Sequence, residues 1–286
     1  MTSCQIVAAG SMATVQDQGR FGSAQFGVAV SGAFDGRSFA LANRLVGNSS
    51  SAAAIELVMG GFAFRANESM VVAVTGAPAP ISIDGRSDGL DRALVLQAGS
   101  TLTVGQPRTG VRTYLAVRGG IDVTPSMSSR SFDSLGVIGP PPLVAGDVLD
   151  IGYQTDGRPW FEQVPTPAWA ASVDVDLFLG PRHDWIASSD LQRLSTMWWQ
   201  ISPDSNRIGL RLQGPPLARV AGELASEPMM FGAVQVPPNG QPIVLGPDGG
   251  VTGGYPVVGV VAIDQLYKLG QLRPGDRLRF RVIEPR

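Results

Sequence analysis

Glycine and proline punctuate this chain so densely that long regular elements are ruled out. The 286 residues carry 36 glycines and 22 prolines, and turn signals recur roughly every 8 to 12 residues, the spacing of short strands. Between them lie short β-branched runs, as at residues 70–75, 93–97 and 114–117. This pattern predicts a mainly β protein built as closed or sandwiched sheets. Three helices interrupt it. The first is predicted over 36–46, with Asp35 as N-cap, Phe39, Ala42 and Leu45 at helical spacing, and Gly47-Asn48 as the stop. The second is predicted over 185–198 with Asp184 as cap, and the third over 264–269, stopped by Gly270. One phrase recurs at residues 98–104, 145–151 and 274–280: a tight Gly-Asp or Gly-Ser turn, then an alternating strand. It reads as a common turn or as the trace of a structural repeat.

With 44% hydrophobic residues the chain can bury a large core, and its length favours two domains. The stretch 153–171 holds three prolines, two tryptophans and no clear period. A first β domain is therefore expected over 1–160, a linker over 161–171 and a second β domain over 172–286. The formal charge of -2 offers no basic excess for a phosphate backbone, so nucleic acid is not an expected partner. Cys4 is the only cysteine, which removes an intrachain disulfide and a CxxC site and suits a reducing cytoplasm. No secretory leader pattern opens the chain, and no run of apolar residues is long enough to span a membrane.

His183 is the only histidine and Lys268 the only lysine. A Ser-His-Asp triad would have to pass through His183, and a zinc site would rest almost wholly on carboxylates; neither is expected. Three segments concentrate polar groups. Residues 14–20 set Thr14, Gln16, Asp17 and Arg20 together, as a solvated loop or with Asp17 and Arg20 as a structural ion pair. Residues 31–35, with Ser31 and Asp35, precede the first helix and either cap it or offer backbone N–H groups to an anion or carbonyl oxygen. Residues 235–256 place two Gly/Pro-rich loops around the apolar strand 243–245. That arrangement would bring Gln235, Gln241, Asp248, Thr252 and Tyr255 toward one rim, with Gly253-Gly254 permitting close approach of a ligand. The paired glycines match neither a phosphate loop nor a dinucleotide turn, so no cofactor is assigned to this chain. Lys268 reads as a cation at a helix C-terminus or as a buried acid-base group. The Trp198-Trp199 pair and the Met229-Met230-Phe231 cluster read as core or interface.

Taken in order, residues 14–20, 31–48 (SGAFDGRSFALANRLVGN), 74–77, 114–122 (YLAVRGGID), 145–152, 180–185, 202–214, 232–242, 252–256 and 266–280 (LYKLGQLRPGDRLRF) resemble one family. It is known as allophanate hydrolase subunit 2, as the C-type subunit of 5-oxoprolinase, or as the carboxyltransferase A and B subdomains of urea carboxylase. The resemblance implies two cyclophilin-like β-barrel domains and a smaller companion, called subunit 1 or the B-type subunit, in a hetero-oligomer. Together with a third subunit, such a pair opens 5-oxoproline to glutamate at the expense of ATP, used by the complex. Fused relatives transfer a carboxyl group to urea in urea breakdown, and another relative is a regulator that binds a kinase inhibitor. Carried over by position, the family's polar patch comprises Gln16, Asp17, Arg20, Ser31, Asp35, Gln235, Gln241, Thr252, Gly253, Gly254, Tyr255 and Lys268. Asp17, Asp248 and Lys268 are the expected catalytic groups, and the others are expected to hold a small amide or urea-like substrate. Residues 248–252 depart from the pattern of many relatives, lacking a Gln, a basic residue and one Thr.

Overall fold

The computed structural model describes residues 2–220 and 222–283. The chain divides into two compact units, one comprising residues up to Arg20, Ser31–Asp133 and Val137–Trp169, the other Phe21–Val30, Ser134–Gly136 and the chain from Ala170 onward. The architecture is mainly β.

In the first unit, β1 (Ser3–Ala9), β2 (Met12–Gln16), α1 (Gly36–Leu45), β3 (Ala54–Val58), β4 (Phe62–Ala66), β5 (Met70–Gly76) and β6 (Ile81–Ile83) come first. They are followed by β7 (Arg86–Asp88), β8 (Ala93–Leu96), β9 (Thr101–Val104), β10 (Arg112–Val117), β11 (Ile121–Asp122) and β12 (Val148–Ile151). Two sheets result, ordered β11-β12-β1-β4-β9-β6-β7 and β2-β3-β10-β5-β8. The alternation of β3 shows how sequence assigns the faces. Ile55 and Leu57 join Ile6, Val15, Phe64 and Leu115 in the main core, while Ala54 lies with Ala73, Tyr114 and Ala116 against Phe39, Ala42 and Leu45 of α1. The ring of Phe39 meets Tyr114 edge-on, centroids 6.3 Å apart. Residues 153–169 have no ladder of their own and are tied to this unit by single bonds. Trp160 N donates to Leu45 O at 2.7 Å, Ala93 N to Trp160 O at 2.8 Å, and Val164 N to Asp91 O at 3.0 Å. The Trp169 indole donates to Gly76 O at 3.1 Å.

The second unit contains β13 (Ser172–Leu179), α2 (Ser188–Thr196), β14 (Trp199–Ile201), β15 (Gly209–Gln213), β16 (Glu227–Pro228) and β17 (Ala233–Gln235). It continues with β18 (Ile243–Leu245), β19 (Thr252–Gly253), β20 (Val257–Val261), α3 (Leu266–Leu269) and β21 (Arg277–Ile283). Seven of these strands close a barrel in the order β13-β20-β17-β18-β15-β14-β21, and β16 pairs only with β19. Closure comes from the parallel pairing of β13 with β21, from Ser172↔Arg277 to Phe178↔Ile283. Along both strands the residues alternate: Val175, Leu177, Leu278 and Phe280 are buried, whereas Asp174 and Asp176 face Arg279 and Arg281 in ion pairs of 2.7 and 2.6 Å. Those pairs are half exposed and fix register more than they stabilise.

The first helix begins where the sequence predicts, Asp35 accepting from Ser38 N at 3.0 Å. The second is shorter than expected. It runs over Ser188–Thr196 rather than from Trp185 to Trp198, because residues 183–185 form a separate 3-10 turn and the chain turns extended at Met197 before β14. The third is a single turn after a 3-10 turn at Ile263–Gln265. Each recurring turn does precede a strand, with Gly99, Gly146 and Gly275 at φ of 83°, 100° and 91°, a conformation that favours glycine.

Two buried carboxylates set opposite pH dependences. Asp248 is fully buried, and its carboxylate meets Arg207 in a two-pronged pair, Nε to Oδ2 and Nη2 to Oδ1, both at 2.8 Å. Ser134 adds its N–H at 3.0 Å and its hydroxyl at 2.7 Å. Burial pushes the Asp248 carboxyl up, but Arg207 and Ser134 outweigh it and hold the group below the usual carboxylate range. Asp91, also fully buried, is pushed up by desolvation, with the Thr166 hydroxyl opposing. The lowered group stabilises the fold above its unfolded value, near pH 4, and loses that contribution as pH falls through its folded value. Asp248→Asn should therefore cost about 3 kcal/mol or more at neutral pH, a deficit that urea denaturation finds shrinking below about pH 4. The raised group stabilises only at low pH and loses its contribution as pH rises through its folded value. Asp91→Asn should accordingly raise Tm at pH 7 and not near pH 3, as read by a thermal melt.

Candidate functional site

In the first unit the polar segment at the end of β2 folds around Asp17. Its Oδ1 accepts from Gly19 N at 2.8 Å, Ser129 Oγ at 2.7 Å and Ser131 Oγ at 2.6 Å, and its Oδ2 from Arg130 N at 2.6 Å. Asp17 thus organises the 129–131 loop through three donors and its own turn through a fourth, Gly19 N. Arg20, only 1% exposed, donates to Ser131 O. The same carbonyl lies 2.2 Å from where a Cβ on Gly139 would stand, so only glycine fits there at φ 95°. Gln16 is fully buried and its Nε2 donates to Thr14 Oγ1 at 3.1 Å and Phe132 O at 3.0 Å. The solvated loop of the sequence reading is instead a buried polar junction.

Residues 31–35 lie across this junction and use their N–H groups internally. Ala33 N donates to Asp17 O at 3.0 Å, Phe34 N to Glu56 Oε2 at 3.0 Å and Asp35 N to Tyr114 Oη at 2.8 Å. Asp35 itself caps α1, accepting also from Ser38 Oγ at 2.6 Å. The capping expected of this segment is thus present. Ser31, at φ 55° and 4% exposed, turns the loop. Beneath it Glu56 accepts from Tyr114 Oη at 2.6 Å and from Arg112 Nε at 3.1 Å, and the Arg112 guanidinium lies 4.3 Å from the Phe34 ring centre. Burial first, then the charges of Glu56 and Asp35, push the Tyr114 phenol far above its ordinary value, so it remains a donor. Glu56, Arg112 and Tyr114 were not singled out by sequence reasoning. The available signal was a glutamate within the otherwise apolar strand β3, on the face turned to α1.

In the second unit the five residues expected on one rim do not form one: Gln235 and Gln241 line adjoining recesses that share Arg211 and Ile243, and the others lie elsewhere. Gln241 clamps Gly214, accepting from its N–H at 3.0 Å and donating to its carbonyl at 2.9 Å. Gln235, on β17, lines a small recess with Arg211 and Ile243. Asp248 lies beneath the surface, paired with Arg207. Thr252 and Gly253 pair with Pro228 and Glu227, and the space beside Gly253 is taken by Met229, whose Cε lies 2.5 Å from where a Cβ would stand. The close approach expected of a ligand at that glycine is made by this methionine. Gly254 follows it, and Tyr255 is 44% exposed. Lys268 donates its ammonium to Asp174 O at 3.0 Å and Gln265 Oε1 at 3.2 Å, bracing α3 against β13. The side chain of Trp199 is core, whereas Trp198 carries Arg279 over its ring at 4.5 Å and Met230 is 60% exposed.

His183 sets Nδ1 2.8 Å from Gly180 O rather than against a carboxylate. Among the described residues no group of three or more His, Cys, Asp or Glu side chains is placed to hold a metal ion, and no helix is long and apolar enough to cross a membrane. The described residues of each unit supply ordered donors and acceptors.

Residues 26–282 match the family described as carboxyltransferase domain, subdomain A and B. The chain is 36% identical over 280 residues to the 5-oxoprolinase C subunit of Escherichia coli (strain K12), covering 96% of this chain and 90% of that protein. It is 33% identical over 281 residues to the protein of the same name from Haemophilus influenzae, covering 96% and 89%. Both relatives are named as subunits. Among solved structures, K. lactis urea amidolyase superposes with a TM-score of 0.92 at 29% identity, over 97% of this chain but only 18% of that one. The ordered motifs, the fold and these end-to-end matches agree, and the chain belongs to the carboxyltransferase-domain family, subdomains A and B.

Proposed function

We propose that this chain is the C-type subunit of an ATP-dependent 5-oxoprolinase, acting with a smaller B-type partner to open 5-oxoproline to glutamate. The observation that carries the reading is the match to the 5-oxoprolinase C subunit of Escherichia coli across 90% of that protein's length. The chemistry of the chain is consistent with it. A lactam presents one carbonyl acceptor and one N–H donor, and catalysis on such a group calls for fixed dipoles around the developing oxyanion. Gln235 in the second unit is the group we assign to substrate, while Gln16 and Arg20 hold residues 131–132 within the first unit. Asp17 and Asp248, whose oxygens accept several donors each, act as positioning carboxylates, and Lys268 braces α3. ATP is assigned to the complex and not to a site on this chain.

A second reading, carboxyl transfer to urea, is favoured by the 0.92 TM-score with urea amidolyase. The two separate in one assay. The chain purified with its two partner subunits should release glutamate and ADP from 5-oxoproline and ATP, with no urea-dependent ATP hydrolysis. Glutamate absent from the complete set would reject the first reading, and urea-dependent turnover would establish the second. Partner binding without either turnover would mark a regulatory module.

In the active complex, Asp17→Asn should lower kcat about 100-fold by misplacing the 129–131 loop. The shape of the pH–rate profile should not change. Loss of one limb of that profile would instead make Asp17 an acid or base.

A further inference from the structure

The outer face of the second unit's barrel holds two polar groups that nothing in the fold uses. Strands β15, β18 and β17 run side by side there, and the pairings Arg211↔Ile243, Gly209↔Leu245 and Gln235↔Ile243 put these residues on one face. Together with Asn206 and Ile208 they line a recess of about 110 Å³. A second recess of about 190 Å³, which also shares Arg211 and Ile243, opens beside it. Gln235 is only 8% exposed, yet among the described residues no group hydrogen-bonds its carboxamide. Buried amides are normally satisfied, and one facing a recess marks a place where a partner is missing. Arg211 is equally unengaged among the described residues. Elsewhere on this unit Arg182, Arg279 and Arg281 each have a carboxylate partner. Around Arg211 the recess itself offers Gly209, Ile243, Leu245 and Gln235, and the nearest carboxylate lining is Asp204 in the adjoining recess, with which Arg211 makes no ion pair among the described residues.

The recess is also kept open by sequence. A Cβ at Gly209 would stand 3.0 Å from Ile243 Cγ2 and 3.3 Å from Val244 O, taking up space on this face. Asn206 fixes the entrance, its Oδ1 accepting from Ile208 N at 2.8 Å and Gly209 N at 3.3 Å. The result is a small concavity with a cation, an amide that both donates and accepts, and an apolar floor from Ile243 and Leu245.

We propose that this recess binds a small carboxylate that also carries an amide, the Arg211 guanidinium taking the carboxylate and the Gln235 carboxamide pairing with the ligand's amide. A guanidinium matches a carboxylate through two parallel N–H donors, and an amide pairs reciprocally with a second amide. The class follows from the recess. Naming 5-oxoproline as its member rests on the 5-oxoprolinase reading above.

The full chain, labelled with ¹⁵N, is titrated with 5-oxoproline and, separately, with acetate. 5-Oxoproline should shift the amides of residues 206–211, 235 and 243–245. Arg211→Met should weaken binding of both probes about tenfold or more, and Gln235→Leu that of 5-oxoproline only. Both substitutions lie on the barrel's outer face, and an otherwise unchanged amide spectrum confirms the fold. Absence of saturable binding, shifts elsewhere, or affinities unmoved by both variants would overturn the site.

The complex assay keeps the two claims apart. If wild type turns over 5-oxoproline and Arg211→Met leaves KM unchanged, the recess is refuted and the proposed function stands. If the chain binds 5-oxoproline with both variants impaired while the complete complex makes no glutamate, the recess stands and the proposed function falls.

Discussion

A single buried carboxylate, Glu56, organises the first unit. An ionised side chain in the interior costs several kcal/mol unless its lone pairs are filled and a cation is near. Glu56 is filled by an arginine and a tyrosine from the neighbouring strand and by a backbone N–H from the 31–35 loop. The debt is settled across three segments that are far apart in sequence. Satisfying the charge therefore fixes the loop, the loop sets Asp35, and Asp35 starts the helix that covers the outer face of the five-stranded sheet. Remove the carboxylate and the loop loses its bond at Phe34 and the partner that orients Tyr114, although every apolar contact remains.

The second unit uses the same device with different residues. Asp248 draws Arg207 and Ser134 together, and Asp17 in the first unit gathers Ser129, Arg130 and Ser131. In all three cases a carboxylate orders loops that no sheet ladder reaches. In a chain with so many glycines and prolines, much of the backbone must find hydrogen bonds outside regular structure. Side-chain carboxylates, which accept from several donors at once, serve that need economically.

This explains what was readable in the sequence. The β class, the first helix with its Asp35 cap and the turns before strands follow from local chemistry acting within a few residues, and they appear as expected. The start of the second helix does not, because Asp184 is a good cap on local grounds but the chain there prefers a 3-10 turn. The grouping of Gln235, Gln241, Asp248, Thr252 and Tyr255 on one rim failed for a related reason. It treated a contiguous segment as a single surface, whereas β17 and β18 enter the barrel while Asp248 is pulled inward by an arginine 41 residues earlier. Glu56 and Arg207 were illegible because their partners lie at long range. A charged residue in an apolar strand announces that a partner exists without saying which.

The parallel β13–β21 pairing carries a consequence for how the second unit comes into being. Its cross-strand ion pairs join residues 105 positions apart, and the strands between them cannot form a closed wall until both edges are present. Before that moment β13 and β14 are open edges, able to pair with whatever strand they meet. Bringing such distant segments together is the slow, entropically opposed step of folding. The barrel wall thus stays unsealed until β21 is in place between β13 and β14.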